Sequence, residues 1–209
     1  RKDGTIYLER LSISAICDEA GEVLSYVGVC ADITEQWEQD QRTRHMALHD
    51  GLTGLANRSL LLERVAQLIA ISAREPRHIA IMFLDLDGFK LVNDTWGHEI
   101  GDQVLKTVSS RLVGLVRPSD TVARLGGDEF VILLDNPDSR DNVMMIASRV
   151  IDEINGPMSF DGIVAHVGAS IGITFKAKES ASADDLLKNA DAAMYEAKAA
   201  GKNTYRFID

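Results

Sequence analysis

Two stretches of the chain place acids where they could do chemistry. In Arg124-Leu125-Gly126-Gly127-Asp128-Glu129-Phe130, two glycines and two carboxylates lie between apolar runs, Val122-Ala123 before them and Phe130 to Leu134 after. This reads as a hairpin with a tight tip. Gly126 and Gly127 permit positive φ and let a flat ligand approach the backbone. Asp128 and Glu129 stand where the chain leaves the turn. As neighbours on a strand they would point to opposite faces, so one at most faces a given pocket. Taken alone, the stretch is as readily a solvated acidic turn. The second stretch, His78 to Lys90, breaks that tie. Ile79 to Leu84 is a continuous apolar run, as in a strand buried on both faces, and it ends in Asp85 and Asp87, two residues apart and therefore on one face. If this strand lies beside the hairpin, Asp85 and Asp128 converge at one edge of the sheet. Converging carboxylates repel unless positive charge lies between them, and hard oxygen ligands with room for water and phosphate suit Mg²⁺. Such a site favours phosphoryl or nucleotidyl transfer over acid–base work on a neutral substrate.

The elements that must hold these acids follow from periodicity and punctuation. Thr5 to Ile16 and Val23 to Ala31 read as strands joined at Asp18-Glu19-Ala20-Gly21, and Thr34 caps a polar helix running to Leu48 with Ile33, Trp37 and Leu48 as sparse apolar points. His49 to Arg58 is a loop entering an amphipathic helix whose apolar face is Leu60, Leu61, Val65, Leu68 and Ile69. After the first acidic strand, Lys90 to Asp94 makes a short helical turn that breaks at Trp96-Gly97-His98. The next helix starts at Ile100-Gly101-Asp102 and buries Val104, Leu105, Val108, Leu112 and Val116. Beyond the hairpin come a helix over Asn142 to Ile154, two short strands joined at Asp161-Gly162, a core strand from Ala165 to Phe175, and a helix from Ala183 to Ala200 carrying Leu186, Leu187, Ala190, Met194 and Tyr195. Gly201 stops that helix, and Tyr205 to Ile208 returns as an edge strand.

Composition narrows the partners. With 45% hydrophobic residues in 209, the chain can build a proper core; 22 basic against 32 acidic residues leave a net charge of −10. That excludes a general binder of nucleic acid or anionic lipid, which needs a diffuse positive field. A small anionic substrate remains open if a metal and a few local cations neutralise it. Cys17 and Cys30 lack metal-type spacing and are expected as buried free thiols. No run approaches a membrane span and the start is not a signal peptide. The abrupt Arg-Lys-Asp-Gly beginning leaves room for a sensory or membrane part upstream.

From about His45 onward the chain resembles the GGDEF-domain diguanylate cyclases. The resemblance rests on Asp50-Gly-Leu-Thr-Gly-Leu-Ala-Asn-Arg58, the Asp85-to-Lys90 strand end, Asn93 with Asp102, Arg117-Pro-Ser-Asp120 and the Gly-Gly hairpin. It implies an α/β (α+β) fold related to the polymerase palm and the class III nucleotidyl cyclases: a central mixed sheet flanked by helices, with the hairpin at its centre. It further implies condensation of two GTP into cyclic di-GMP by a cytoplasmic homodimer whose two sites face each other. Asp85, the Leu86 carbonyl and Asp128 would hold two Mg²⁺, Mn²⁺ being an alternative. Asp128 would take the proton, Glu129 would support it, and Lys90 with the backbone at Gly88 and Phe89 would bind phosphates. Asn93 and Asp102 would recognise guanine, with His98, Gly126 and Gly127 also against the substrate; by spacing alone Asn93 and Asp102 are equally helix caps. Lys198 and Lys202, one turn apart at a helix end, would grip the triphosphate, although helix C-termini collect cations anyway. Lys202 stands where the family often has arginine, and lysine lacks its bidentate fork. Arg117 and Asp120 match the R-x-x-D of an inhibitory site for the product, completed by Arg149 or Arg140; a plain loop ion pair is the alternative.

The first 33 residues resemble the last two strands and exit motif of a PAS sensory domain, on Arg1 to Thr5, Asp18 to Gly21, Tyr26 to Val29 and Asp32 to Glu35. The chain is thus expected as a PAS tail (1–33), a signalling helix that pairs in a dimer or is a solvated linker (34–48), and a cyclase domain (49–209). Two other readings stay open. One is a silent GTP- or cyclic di-GMP-binding module of a larger protein, such as one continuing into an EAL phosphodiesterase. The other is a different nucleotidyl cyclase or palm domain, which Asn93, Asp102 and the R-x-x-D disfavour.

Overall fold

A computed structural model describes residues 4–75, 77–175 and 182–208; Arg1, Lys2 and Asp3 of the N-terminal motif and the terminal Asp209 lie outside the described residues. The chain forms two units, Arg1–Ala47 and Leu48–Asp209. In the first, β1 (Glu9–Cys17) and β2 (Val23–Asp32) pair antiparallel. Asp18 makes the turn by accepting the Ala20 and Glu22 amides on its Oδ1. Both strands are exposed along their whole length. Cys17 and Cys30 are therefore exposed free thiols rather than buried ones, set opposite Val23 and Leu11. The expected burial fails because a two-stranded ribbon has no second layer to cover a side chain. Helix α1 (Thr34–Leu48) buries none of its residues.

The second unit is built on β3 (Ile79–Asp87), which is buried along nearly its whole length. Its even residues, Ala80, Met82, Leu84 and Leu86, join one apolar cluster, and Ile79, Ile81 and Phe83 join another on the opposite face. Each fully buried side chain of this size contributes about 1.5–3 kcal/mol, which suits β3 to be the strand on which the others assemble. Around it the five-stranded sheet runs β4 (Thr121–Gly126), β5 (Glu129–Asp135), β3, β8 (Gly168–Phe175), β9 (Tyr205–Ile208). The neighbours are antiparallel except β8 and β9, so the sheet is mixed. The Gly-Gly hairpin is thus not at the centre, as expected from sequence, but forms one side with β4 at the edge. The centre goes to the strand that is apolar on both faces.

The first cluster is covered by α4 (His98–Leu115) and α5 (Arg140–Asn155), with α3 (Phe89–Trp96) leading into α4; the second is covered by α2 (Arg58–Ser72) and α6 (Ala183–Ala199). The ribbon of β6 (Met158–Phe160) and β7 (Ile163–Ala165) stands apart, and β8 starts only at Gly168 because Ile163 to Ala165 pairs with Met158 to Phe160. Tyr195, grouped with the apolar residues of α6, points out and is 73% exposed. Gly172 lets α6 lie on bare backbone: a β-carbon there would overlap the Ala190 carbonyl and the Met194 amide nitrogen.

Candidate active site

Three features meet where β3 ends: the Gly126–Gly127 turn, the acids around it and the last turn of α6. The turn takes φ of 146° at Gly126 and 53° at Gly127, a path closed to most side chains. It docks on β3 through the Leu86 amide, which donates to the Asp128 carbonyl at 3.2 Å. In an extended strand a residue's N–H and C=O leave on the same side, so the Leu86 carbonyl is turned toward the hairpin as well. Asp85 stands opposite Glu129 in the β3–β5 register. Asp128 precedes β5, and strand alternation does not govern it. Asp128 and Glu129 both sense the charge of Asp85.

Electrostatics make the cluster tense. Burial, then the charge of Asp85, holds the Asp128 carboxyl above its ordinary range, while Lys198 and Arg124 pull it back. Glu129 is raised by burial and by Asp191, Asp85 and Asp128. Into this group α6 delivers Lys198, whose Nζ donates to Asp85 Oδ2 at 2.7 Å. Among the described residues no three His, Cys, Asp or Glu side chains converge into an all-protein metal cage. Mg²⁺ does not need one, because it is held by one or two carboxylates, waters and substrate phosphates. Asp85, Asp128 and the Leu86 carbonyl are hard oxygen donors among crowded carboxylates, so the residues fit that ion.

Arg124 fixes the turn, a role the sequence reading missed. Its Nε and Nη2 donate to the Gly127 carbonyl at 3.0 and 2.8 Å, and its Nη1 donates to Asp50 Oδ1 at 2.9 Å. Burial pushes Asp50 up, but hydrogen bonds from Thr53 and Arg124 outweigh it and hold the carboxyl below its ordinary range. The Asp-Gly-Leu-Thr loop, legible in sequence only as a turn with a helix start, is thus wired to the acidic tip. The missed signal is an arginine two residues before the glycines, with a planar fork able to bind a carboxylate and a carbonyl together.

The proposed nucleotide contacts fall on α3, α4 and the end of α6. Gly88 and Phe89 open α3, whose first amides have no intrahelical acceptor and can face a phosphate, and Lys90 is exposed in that first turn. Asn93 is inside α3 and Asp102 inside α4, so neither is the helix cap that spacing alone allowed. The Asn93 carboxamide lies against the backbone of Gly101, the residue before Asp102, where a β-carbon would overlap its oxygen. That Oδ1 is buried and has no hydrogen-bond partner, the one such side-chain atom found among the described residues. Asp102 and His98 are exposed. Lys202 is not one turn along the helix from Lys198. It follows α6 in a left-handed turn, with φ of 64°.

Arg117 and Asp120 lie at the far end of β4, about 20 Å from the glycine turn at roughly 3.3 Å per strand residue. Asp120 accepts the Arg117 amide at 2.9 Å and the Asp135 amide at 3.0 Å, and Arg117 Nη2 reaches Asp138 at 3.1 Å. A cleft of about 270 Å³ opens here, lined by Arg117, Asp120, Asn142, Met145 and Arg149 among others. Of the two arginines left open above, Arg149 is in this cleft. Arg140 instead lies over the Phe207 ring, 4.4 Å from its centroid.

Comparison with known proteins bears on this geometry. The family described as "Diguanylate cyclase, GGDEF domain" matches residues 47–204. The bifunctional diguanylate cyclase/cyclic di-GMP phosphodiesterase MucR of Pseudomonas aeruginosa is 43% identical over 164 residues, 78% of this chain and 24% of MucR. The matched region spans about a quarter of the length of MucR and of two further curated relatives. Among solved structures, the GGDEF domain of TpbB (YfiN) from Pseudomonas aeruginosa superposes with a TM-score of 0.73 at 37% identity, over 77% of this chain and 94% of that one. The coiled coil and GGDEF domain of DgcB from Caulobacter crescentus, solved with c-di-GMP, gives 0.78 at 28% identity, over 84% and 93%.

Proposed function

The chain belongs to the diguanylate cyclase GGDEF-domain family, and from that premise we propose that it condenses two GTP into cyclic di-GMP and two pyrophosphates. The observation that carries this reading is the strand-end cluster: Asp85 close enough to help raise the Asp128 carboxyl above its ordinary range, with the Lys198 ammonium of α6 donating to Asp85 on β3. Asp85, Asp128 and the Leu86 carbonyl would hold Mg²⁺, which when bound activates the 3′-hydroxyl and offsets charge developing on phosphorus. Asp128, whose carboxyl is held above its ordinary range by burial and Asp85, accepts the hydroxyl proton, and Glu129 supports it. The α3 N-terminus, Lys90, Lys198 and Lys202 bind phosphates. Asn93 on α3 and the exposed Asp102 on α4 recognise guanine, the Asp102 carboxylate accepting from its donor edge. One site holds one GTP, so ring closure takes two sites face to face in a homodimer.

The flanking segments take supporting roles in the same proposal. Residues 1–33 are the tail of a PAS domain, α1 sets the geometry of the dimer, and the reaction is cytoplasmic. Among the described residues no helix is long and apolar enough to cross a membrane.

The direct test is product analysis by mass spectrometry after incubation with GTP and Mg²⁺ over a range of protein concentrations. Cyclic di-GMP is expected, with specific activity rising as the protein dimerises. GTP binding without turnover in a demonstrably dimeric sample would instead establish the silent binding module.

Product inhibition acts through the cleft at Arg117, Asp120 and Arg149. The Arg117–Asp138 pair is exposed on both sides and so weak that Arg117 can turn to a ligand at little cost. Arg117→Ala removes a planar fork suited to guanine or phosphate. It is expected to raise the inhibition constant for cyclic di-GMP at least about tenfold with uninhibited turnover unchanged. An unchanged inhibition constant removes the cleft from regulation.

A further inference from the structure

Asp87 shares a strand face with Asp85, and by chemistry alone both could be metal ligands. The structure gives them different partners. Asp85 accepts the Lys198 side chain, whereas Asp87 Oδ2 accepts the Ser170 hydroxyl at 2.8 Å and the Asn203 backbone amide at 2.9 Å. Ser170 is fully buried, so the first bond anchors the carboxylate from below. The second reaches the turn that leaves α6. In that turn Gly201, Lys202 and Asn203 all have positive φ, at 115°, 64° and 48°. For two successive non-glycine residues this path is unfavourable, and it persists only where surrounding bonds over-determine it.

Those bonds are on both sides of Lys202. Its own amide donates to the Ala197 carbonyl at 3.2 Å, and the Gly201 amide donates to Lys198 at 3.3 Å. On the far side Asn203 is held by Asp87, and its Oδ1 accepts the Ala169 amide at 3.4 Å. Thr204 then accepts the Ile171 amide as β9 begins. The i and i+2 acids of β3 are therefore matched to the two cation-bearing positions at the end of α6. Asp85 takes the Lys198 ammonium, and Asp87 takes the backbone one residue past Lys202.

We propose that Asp87 is a positioning residue that latches the Gly201–Asn203 turn to the end of β3 and so aims Lys202 at the triphosphate of the bound nucleotide. Asp87 touches neither substrate nor metal, and its effect is felt in nucleotide affinity and not in turnover. The inference rests on the cyclase-family reading of the site for the identity of the ligand.

The test measures binding of a GTP analogue with an uncleavable α,β-methylene bridge by titration calorimetry, beside steady-state kinetics with GTP. Asp87→Ala is expected to weaken the analogue about tenfold and raise KM with kcat nearly unchanged. Asp87→Asn keeps an acceptor for the Asn203 amide and is expected to stay within about threefold of the unaltered protein. In the Lys202→Ala background, Asp87→Ala is expected to add no further loss, because the residue it positions is gone. A collapse of kcat at unchanged affinity in both Asp87 variants would make Asp87 a metal ligand and overturn the proposal. Losses that multiply in the double variant would overturn it in favour of a general structural role. If the unaltered chain forms no cyclic di-GMP but the affinities follow this pattern, the cyclase reading falls and the latch stands. If the unaltered chain does not bind the analogue, both fall.

Discussion

Asp128→Asn is expected to abolish cyclic di-GMP synthesis, a loss of at least about 10³-fold, while leaving the fold as stable as before or more so. The chemical half follows from the site: the amide keeps the shape of the turn but cannot match a carboxylate's charge toward a cation or accept a proton. The stability half follows from the direction of the shift. Burial and Asp85 hold the Asp128 carboxyl above its ordinary range. The folded chain therefore binds that proton more tightly than the unfolded chain does, and the ionised group opposes folding once the pH exceeds its folded pKa. At neutral pH in EDTA the thermal midpoint of the variant should equal or exceed that of the unaltered chain. The difference should vanish below about pH 4, where the aspartic acid is protonated in both states. Liquid chromatography with mass detection reads the first half and calorimetry the second. Retained activity would take Asp128 out of the chemistry, and a markedly lower midpoint would make it structural.

Gly172→Ala carries the largest expected cost in stability. Its added methyl would meet the backbone of α6 at Ala190 and Met194, not the flexible end of a side chain, so strand and helix must separate. Overpacking against a surface that cannot yield costs about 3 kcal/mol or more, roughly 6–12 °C in midpoint for a unit of this size. Activity should fall further than unfolding accounts for, because α6 also carries Lys198 to Asp85. Gly114→Ala is the matched control. It lies in exposed helix with nothing near the added carbon, and there the same substitution should be neutral or stabilise by up to about 1 kcal/mol. Urea titration of both variants separates the cases, and equal effects would show that the close approach of α6 to β8 has no energetic weight.

Much of this architecture was legible in the amino-acid order because local patterns decide it. The apolar run of Ile79 to Leu84 could only be a doubly buried strand, the glycine pair could only be a turn, and the helix and strand periods beyond residue 57 follow their elements closely. What escaped were facts of pairing. Strand order depends on contacts between distant segments, so nothing local showed that the hairpin lies at the side of β3. The Arg124 link to Asp50 spans 74 residues and the Asp87 link to Asn203 spans 116, and neither has a signature in its own neighbourhood. Arg140 and Arg149 differ only in what surrounds them: α5 places one over Phe207 and the other in the cleft. The exposed thiols were missed for the converse reason, since an apolar β pattern signals burial even where no second layer covers it.

Lys198 in contact with Asp85 is a counter-ion carried on a tether. On the proposed reading, a divalent ion arriving alone would compete with a charge of fixed, very high local concentration. A nucleotide would change the competition by offering the ammonium a new set of oxygens and freeing the carboxylate it leaves. Loading of metal and of GTP would then be coupled through one side chain, each easing the entry of the other.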